Sequence, residues 1–378
     1  MNIADPGAAG TMRDVPRASA MWPTVSVIIP VLNEERYIED CLRCVLDQDY
    51  PGDRVEIIVV DGASTDRTRE IVQRLAAADG RIRLLSNPKR RTPFAMNIGL
   101  AAATGEVVVR IDGHSVIGVD HLRKSVDYLF SSGADHIGGV MRATGRTYLQ
   151  RAIALAMSSP FGVGTARFRY TRREHDIDTV PFGAFRRETL LRLGGFDERF
   201  VIGQDSEFDH RLILSGGRVR VTPEIHTEYY CRDSFKGLSL QYFRYGKAKA
   251  KILHKHRSLP SPRAALPGTF VGLVIILLAL APFSPAARRG LRTLLAAYLA
   301  GCLGAGTLIA AKGGWRYFPA LPPILATLHW SHGLGFLSAA PVVLEPRPQN
   351  PLQGSLDASR AASRMPGDSA PAGVGAAS

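Results

Sequence analysis

The chain of 378 residues has only four cysteines, Cys41, Cys44, Cys231 and Cys302. That is too few for a disulfide framework at this length, and it fits a reducing compartment. Cys41 and Cys44 form an isolated Cys-x-x-Cys pair. Zinc needs two further ligands at matching spacing, and the i, i+3 separation puts both thiols on the apolar face of a helix instead. Acidic residues are in deficit, with 34 Asp and Glu against 47 Lys and Arg and a formal charge of +13. The excess favours phosphate-bearing partners: nucleotides, anionic lipids or nucleic acid. The first two dozen residues lack the apolar run of a secretory signal and read as a disordered tail over 1–23. No Gly-x-Gly-x-x-Gly follows the first strand-like run, which argues against a dinucleotide fold.

Apolar residues, by contrast, make up 46% of the chain, yet the mean hydropathy is 0.00. Such an average invites division into unlike parts. Between residues 24 and 235 short β-branched runs alternate with helical periodicity. Strands are expected over 25–31, 55–60, 82–85 and 107–111, and helices over 36–47, 68–78, 93–103 and 120–131. The strands are almost continuously apolar, as in a parallel sheet covered on both faces, so the class is α/β with a mostly parallel sheet.

From residue 265 the composition changes. Apolar stretches over 267–283, 291–311 and 318–344 approach the roughly 20 residues of a bilayer-spanning helix. They predict a region of two or three membrane helices over 265–344. The third stretch holds Pro322, Pro323, His329 and His332, which suits a re-entrant or interfacial segment. A basic juxtamembrane segment over 236–264, with Lys236, Arg244, Lys247, Lys249, Lys251, Lys255, Arg257 and Arg263, should be held on the cytoplasmic side by anionic lipids. Arg288, Arg289 and Arg292 leave the later topology open. Residues 345–378 read as a second disordered tail. Because the basic residues gather beside apolar spans and no recognition motif accompanies them, nucleic acid is not an expected partner.

In α/β sheets the ligand sits at the carboxyl ends of the strands. The first strand ends in Pro30-Val31-Leu32-Asn33-Glu34 and the second in Asp61. A carboxylate at that tip serves either a ligand contact or the turn that follows, where Asp66 resembles a helix cap. The fourth ends in Arg110-Ile111-Asp112-Gly113-His114. Asp112 and His114 are candidate ligands for a divalent cation holding a diphosphate, or members of an ordinary turn. The stretch 87–91, ending in Arg91, faces the same diphosphate or is a solvated loop. Gln204-Asp205-Ser206-Glu207-Phe208-Asp209-His210-Arg211 packs several ionisable groups at the start of a helix. Its carboxylates supply a general base or a surface network.

In order and spacing these segments resemble glycosyltransferase family 2, nucleotide-sugar enzymes with the GT-A fold. The resemblance runs from about residue 25 to about 245. It rests on Val27-Ile28-Ile29-Pro30 with Asn33-Glu34, Asp61 with 64–68, Asn97-Ile98-Gly99, the Asp112 triplet, Gly183-Ala184-Phe185, Gly194-Gly195-Phe196-Asp197 and 204–211. The branch it most resembles is that of the succinoglycan-type exopolysaccharide glucosyltransferases.

That resemblance implies a GT-A catalytic domain over 24–235. Pro30, Asn33, Glu34, Asp61, Arg91 and Asp112 would bind a UDP-sugar. Asp112 and His114 would hold the cation, with His226 a third ligand, and Asp205 would deprotonate the acceptor hydroxyl. Two departures stand out. His114 replaces a second Asp, favouring Mn²⁺ over Mg²⁺. Gln204 replaces the Glu that usually precedes the base. Gln241-Tyr242-Phe243-Arg244-Tyr245 is similar to the Gln-x-x-Arg-Trp motif of processive synthases, so Gln241, Arg244 and Tyr245 would bind the acceptor, and the resemblance places Gly183 with them. The implied activity is inverting transfer of one sugar, glucose by the branch resemblance, to a lipid-diphosphate-linked glycan. Its expected setting is a bacterial-type plasma membrane, multi-pass, with the catalytic domain cytoplasmic beside anionic lipids and other glycan-assembly enzymes. The alternatives are a polyprenyl-phosphate sugar synthase and a non-catalytic scaffold of the same fold.

Overall fold

The computed structural model describes residues 22–164, 166–259, 261–339 and Leu352. Apart from Trp22, Pro23 and Leu352, the expected tails lie outside the described residues. Strand and helix alternate at first: β1 (Val25–Val31), α1 (Ile38–Leu46), β2 (Val55–Asp61), α2 (Thr68–Ala78), β3 (Ile82–Ser86), α3 (Thr92–Ala102), β4 (Val107–Arg110) and α4 (His121–Ser131). There follow β5 (His136–Thr144), α5 (Tyr148–Met157), α6 (Pro160–Val163), β6 (His175–Asp176), β7 (Gly183–Arg186), α7 (Arg187–Arg192), α8 (Gln204–Leu214) and β8 (Val219–Tyr230). The chain then becomes helical: α9 (Phe235–His256), α10 (Leu266–Leu280), α11 (Pro285–Gly313) and α12 (Leu321–Ser338).

Eight strands form one sheet in the order β3-β2-β1-β4-β7-β5-β8-β6. β1 to β4 are parallel. β7 runs antiparallel between β4 and β5, and β8 is parallel to β5. Successive residues of β1 and β2 point to opposite faces. Val27, Ile29 and Ile57 pack with Leu42 of α1 and Val72 of α2, while Ile28 and Ile58 pack with Met96 of α3 and Phe208 of α8. Both faces are buried, which is why the strands read as unbroken apolar runs. Cys41 of α1 belongs to the first of these cores. Burial pushes its thiol far above the ordinary value, and all four cysteines are free, so the Cys-x-x-Cys pair is packing.

A third core, with Ile153, Leu238, Cys302 and Ile324, joins α5 and α9 of the domain to α11 and α12. Among the described residues, Pro262–Leu280 and Pro285–Gly313 are long and apolar enough to cross a membrane. The third apolar stretch behaves differently. It forms α12, which lies against α9 so closely that a Cβ on Gly246 would stand 1.9 Å from the His332 carbonyl oxygen, and one on Gly335 1.9 Å from that of Phe243. Backbone contact at two glycines leaves no room for lipid on that face. α9 also uses some of its own charge internally. Lys249 Nζ donates to Ser206 Oγ at 3.2 Å, and Lys255 is drawn into a buried network with Asp197 and Glu207.

That network fixes α9 to α8. The fully buried Glu207 carboxylate accepts from Arg211 at 2.8 Å, Lys255 at 2.5 Å and His256 at 3.0 Å. Burial alone would raise its pKa, yet His256, Arg211 and Lys255 together lower it from 4.5 to about 2. A carboxylate whose folded pKa is depressed contributes stability above its unfolded pKa and loses it as pH falls through the folded value. Thermal melts of the wild type should therefore lose on the order of 3 kcal/mol between pH 4.5 and 2 from this site. Glu207→Gln should flatten that part of the profile.

Candidate active site

β1 and β4 deliver their last residues to one edge of the sheet. There Pro30, Glu34, Arg91, Arg110, Asp112 and His114 line a cavity of about 160 Å³ together with Arg90 and Asn87. Arg91 sits just before α3, and its carbonyl accepts from Asn87 Nδ2 at 3.0 Å, which closes the 87–91 turn over the cavity. Asn33 and Asp61 stand beside this wall and do not line it. Asn33 adopts a left-handed conformation (φ 58°). Its Oδ1 accepts from Thr65 N–H at 2.9 Å, pinning the β1 loop to the β2 loop. Asp61 is buried, accepts from Ser64 N–H at 3.3 Å and lies 3.4 Å from Arg69. Asp66 accepts the Thr68 N–H at 3.0 Å from one residue before the N-cap of α2, which is Arg67.

Two charged clusters organise the cavity. His114 Nδ1 lies 2.8 Å from Glu34 Oε1. The bond to Glu34 raises the His114 pKa, against the opposing effect of burial. The second centres on Arg110, a charge at the end of the apolar run Val107-Val108-Val109. Its guanidinium is 5% exposed. It donates to Asp112 Oδ1 at 3.1 and 3.2 Å and to Asp205 Oδ1 at 2.7 Å, and it lies 4.9 Å over the Phe182 ring. One buried cation thus joins the carboxylate of the cavity to that of α8.

Asp205 stands in the first turn of α8, after Gly203 in the left-handed region (φ 78°). A Cβ there would also meet Ala248 of α9 at 2.9 Å, so the turn needs glycine twice over. Burial raises the Asp205 pKa, Arg110 opposes the rise, and Asp209 and Asp112 add to it. A carboxylate made more basic, with a fixed orientation, suits proton abstraction near neutral pH. Gly183 opens β7 directly opposite Arg110. The remaining sites expected for an acceptor lie on α9. Gln241 is buried and donates to Tyr229 and Tyr245 hydroxyls at 2.6 and 2.9 Å, while Arg244 is exposed.

His226 is exposed on β8, away from the cavity, and its neighbour His121 of α4 is buried, which pushes that imidazole down to about 4. Among the described residues, no three His, Cys, Asp or Glu side chains are grouped to hold a metal ion. Asp112 and His114 share the cavity without His226. The residue that the motifs did not single out is Arg110. Its signal was present in the sequence: a charge in a strand covered on both faces is tolerated only when paired.

Residues 26–194 match the family described as Glycosyl transferase family 2. Succinoglycan biosynthesis protein ExoA of Rhizobium meliloti (strain 1021) is 33% identical over 316 residues, 81% of this chain and 92% of that protein. A dolichyl N-acetyl-alpha-D-glucosaminyl phosphate 3-beta-D-2,3-diacetamido-2,3-dideoxy-beta-D-glucuronosyltransferase of Methanococcus voltae is 29% identical over 239 residues, 61% of this chain and 74% of that one. Among solved structures, the mannosyltransferase PcManGT from Pyrobaculum calidifontis, in complex with GDP-Man and Mn²⁺, superposes with a TM-score of 0.55 at 26% identity. The match covers 83% of this chain and 87% of that one. A mostly parallel sheet with its cavity at the carboxyl edge, an acidic residue just past β4, the family match and a relative similar over nearly its full length together make this chain a member of glycosyltransferase family 2, built on the GT-A fold.

Proposed function

We propose that this chain is a membrane-associated, inverting transferase. In this reading it moves one sugar, glucose from UDP-glucose in the first instance, to a lipid-linked oligosaccharide of exopolysaccharide or another cell-surface glycan. The observation that carries it is the Asp112–Arg110–Asp205 chain, which ties a donor-side carboxylate to a basic carboxylate on the acceptor side. Asp205 accepts the proton of the acceptor hydroxyl as that oxygen attacks the anomeric carbon from the face opposite the departing diphosphate. Arg90 and Arg91 at the cavity wall bind the diphosphate, and Glu34 with Pro30 borders the nucleoside.

The donor atoms suit a divalent cation. Asp112 keeps its second carboxylate oxygen clear of Arg110, and a His114 that donates Nδ1–H to Glu34 presents Nε2 as a ligand. When bound, the cation offsets charge on the leaving diphosphate. An imidazole nitrogen in the set favours Mn²⁺ over Mg²⁺, and PcManGT was determined with Mn²⁺. Glu34→Gln should raise the Mn²⁺ concentration needed for half-maximal transfer by about 10–100-fold, measured by metal titration at saturating donor.

Membrane association rests on α10 and α11, whose Leu273, Ile276, Leu278, Leu299 and Leu308 are exposed, as is Phe283 in the turn between them. Apolar surface on that scale needs a lipid or protein cover. The catalytic domain then faces the cytoplasm, confined near its acceptor. The test is transfer of labelled sugar from a panel of UDP-sugars and GDP-mannose into solvent-extractable lipid, using membranes that contain the protein, with Mn²⁺ or a chelator. Metal-dependent label from one donor, absent for Asp205→Asn, supports the reading. Label that persists unchanged in Asp205→Asn overturns it, and label on polyprenyl monophosphate alone replaces the acceptor with the simpler lipid.

A further inference from the structure

Arg169 ends a single helical turn, Arg167–Arg169, between α6 and β6. Its side chain is among the most buried cations of the chain, 7% exposed. The guanidinium lies 5.3 Å from the Phe168 ring centroid and 5.1 Å from that of Tyr229. Its Nη1 has no hydrogen-bond partner among the described residues, and no described carboxylate forms an ion pair with it. Around it stand Tyr242 and Tyr245, whose phenols feel its charge and whose rings are 5.5 Å apart. Burial keeps both phenols neutral, so neither supplies the missing anion. Gln241 spends both amide hydrogens on Tyr229 and Tyr245, which leaves Gln241 Oε1 buried without a partner too.

A guanidinium removed from water without a counter-charge is costly, and chains seldom retain one unless an anion completes it. Faces of aromatic rings offset part of that cost, but they leave the Nη1 donors unused. The position is informative as well. Gln241 and Lys249 are eight residues, about 12 Å, apart along α9, and Lys249 bonds Ser206, the neighbour of Asp205. The same cluster contacts the core that joins the catalytic domain to α11 and α12. It therefore stands between the base and the helices that would meet lipid.

We propose that Arg169, Gln241 and the tyrosines around them form an anion subsite for the phosphate or diphosphate that links an acceptor glycan to its lipid. Arg169 supplies the charge and paired N–H donors, Gln241 Oε1 accepts from a sugar hydroxyl beside the phosphate, and Tyr245 borders that sugar. This inference rests on the lipid-linked acceptor of the proposed function, and it assigns the recognised charge to a residue outside the Gln-x-x-Arg-Tyr motif.

The test uses the full chain in detergent with farnesyl diphosphate as the probe, farnesol as the uncharged control, and tyrosine fluorescence with thermal shift as readouts. Saturable binding of farnesyl diphosphate, at least tenfold weaker in Arg169→Gln and partly restored in Arg169→Lys, supports the subsite. Equal binding by the wild type and Arg169→Gln overturns it. Should Arg169→Gln fold poorly, Gln241→Glu is the second variant. A carboxylate placed beside Arg169 completes it internally, so this variant should melt no lower than the wild type and lose the probe by at least tenfold. Retained probe binding in Gln241→Glu overturns the proposal.

Competition separates the sources of the anion. Displacement of farnesyl diphosphate by phosphatidylglycerol vesicles, and not by phosphatidylcholine vesicles, would make the site a membrane headgroup contact and overturn its role in the acceptor. No displacement by either supports that role. Because the probe carries no sugar and the measurement needs no turnover, absent transfer with intact Arg169-dependent binding would refute the transferase reading and leave the anion site standing.

Discussion

Asp205→Asn should lower the turnover of sugar transfer by about 10²–10⁴-fold while donor affinity changes little. Asn matches Asp in shape and keeps an oxygen that can accept from Arg110, now 2.7 Å from Asp205 Oδ1. The first turn of α8 and its glycine entry are untouched. What disappears is the group that takes the proton. Burial raises the Asp205 pKa above the ordinary 3.8, and Arg110 holds it back. The base is active only when ionised, so wild-type kcat/KM should fall as pH drops through that raised pKa, and Asp205→Asn should abolish the limb. Transfer across a pH series, with donor binding measured separately by calorimetry, checks both parts. A silent substitution would instead place the chain among non-catalytic scaffolds.

Much of the domain was legible because each signal had one physical solution. Apolar runs of four to seven residues separated by amphipathic helices require a sheet covered on both faces, and β1 to β4 form at the expected places. The antiparallel insertion of β7 between β4 and β5 was not legible. Its four residues, Gly183–Arg186, carry no periodicity, and only long-range pairing with Val107–Arg110 defines them. Hydropathy could equally not separate α12 from a membrane helix, since an apolar face turned toward α9 has the same composition as one turned toward lipid. The site divides similarly. Pro30, Glu34, Arg91, Asp112 and His114 meet in one cavity, whereas Asp61 stands beside it, bonded to Ser64 N–H and close to Arg69. Arg169 gave no signal at all, because its interest lies in what is absent around it once the chain is folded.

Arg110→Gln should have the other large effect, on stability and chemistry together. In the wild type one guanidinium compensates two carboxylates, Asp112 at 3.1 Å and Asp205 at 2.7 Å. Removing one partner of a buried ion pair leaves charge without compensation and costs about 3–5 kcal/mol, readable as a lowered denaturant midpoint. With its main cationic neighbour gone, Asp205 should titrate at still higher pH, so the acid limb of kcat/KM should move toward neutrality while some turnover survives. Arg110→Lys keeps the charge but not the planar fork that reaches both carboxylates, and should fall between the two. The double variant Arg110→Gln/Asp205→Asn separates structure from catalysis. It removes a cation and an anion together, so it should regain part of the stability lost in Arg110→Gln and none of the activity. Additive destabilisation in that cycle would mean that Arg110 and Asp205 do not act as a pair. The coupling would then lie between Arg110 and Asp112 alone, and donor binding, rather than the base, would carry the effect of the substitution.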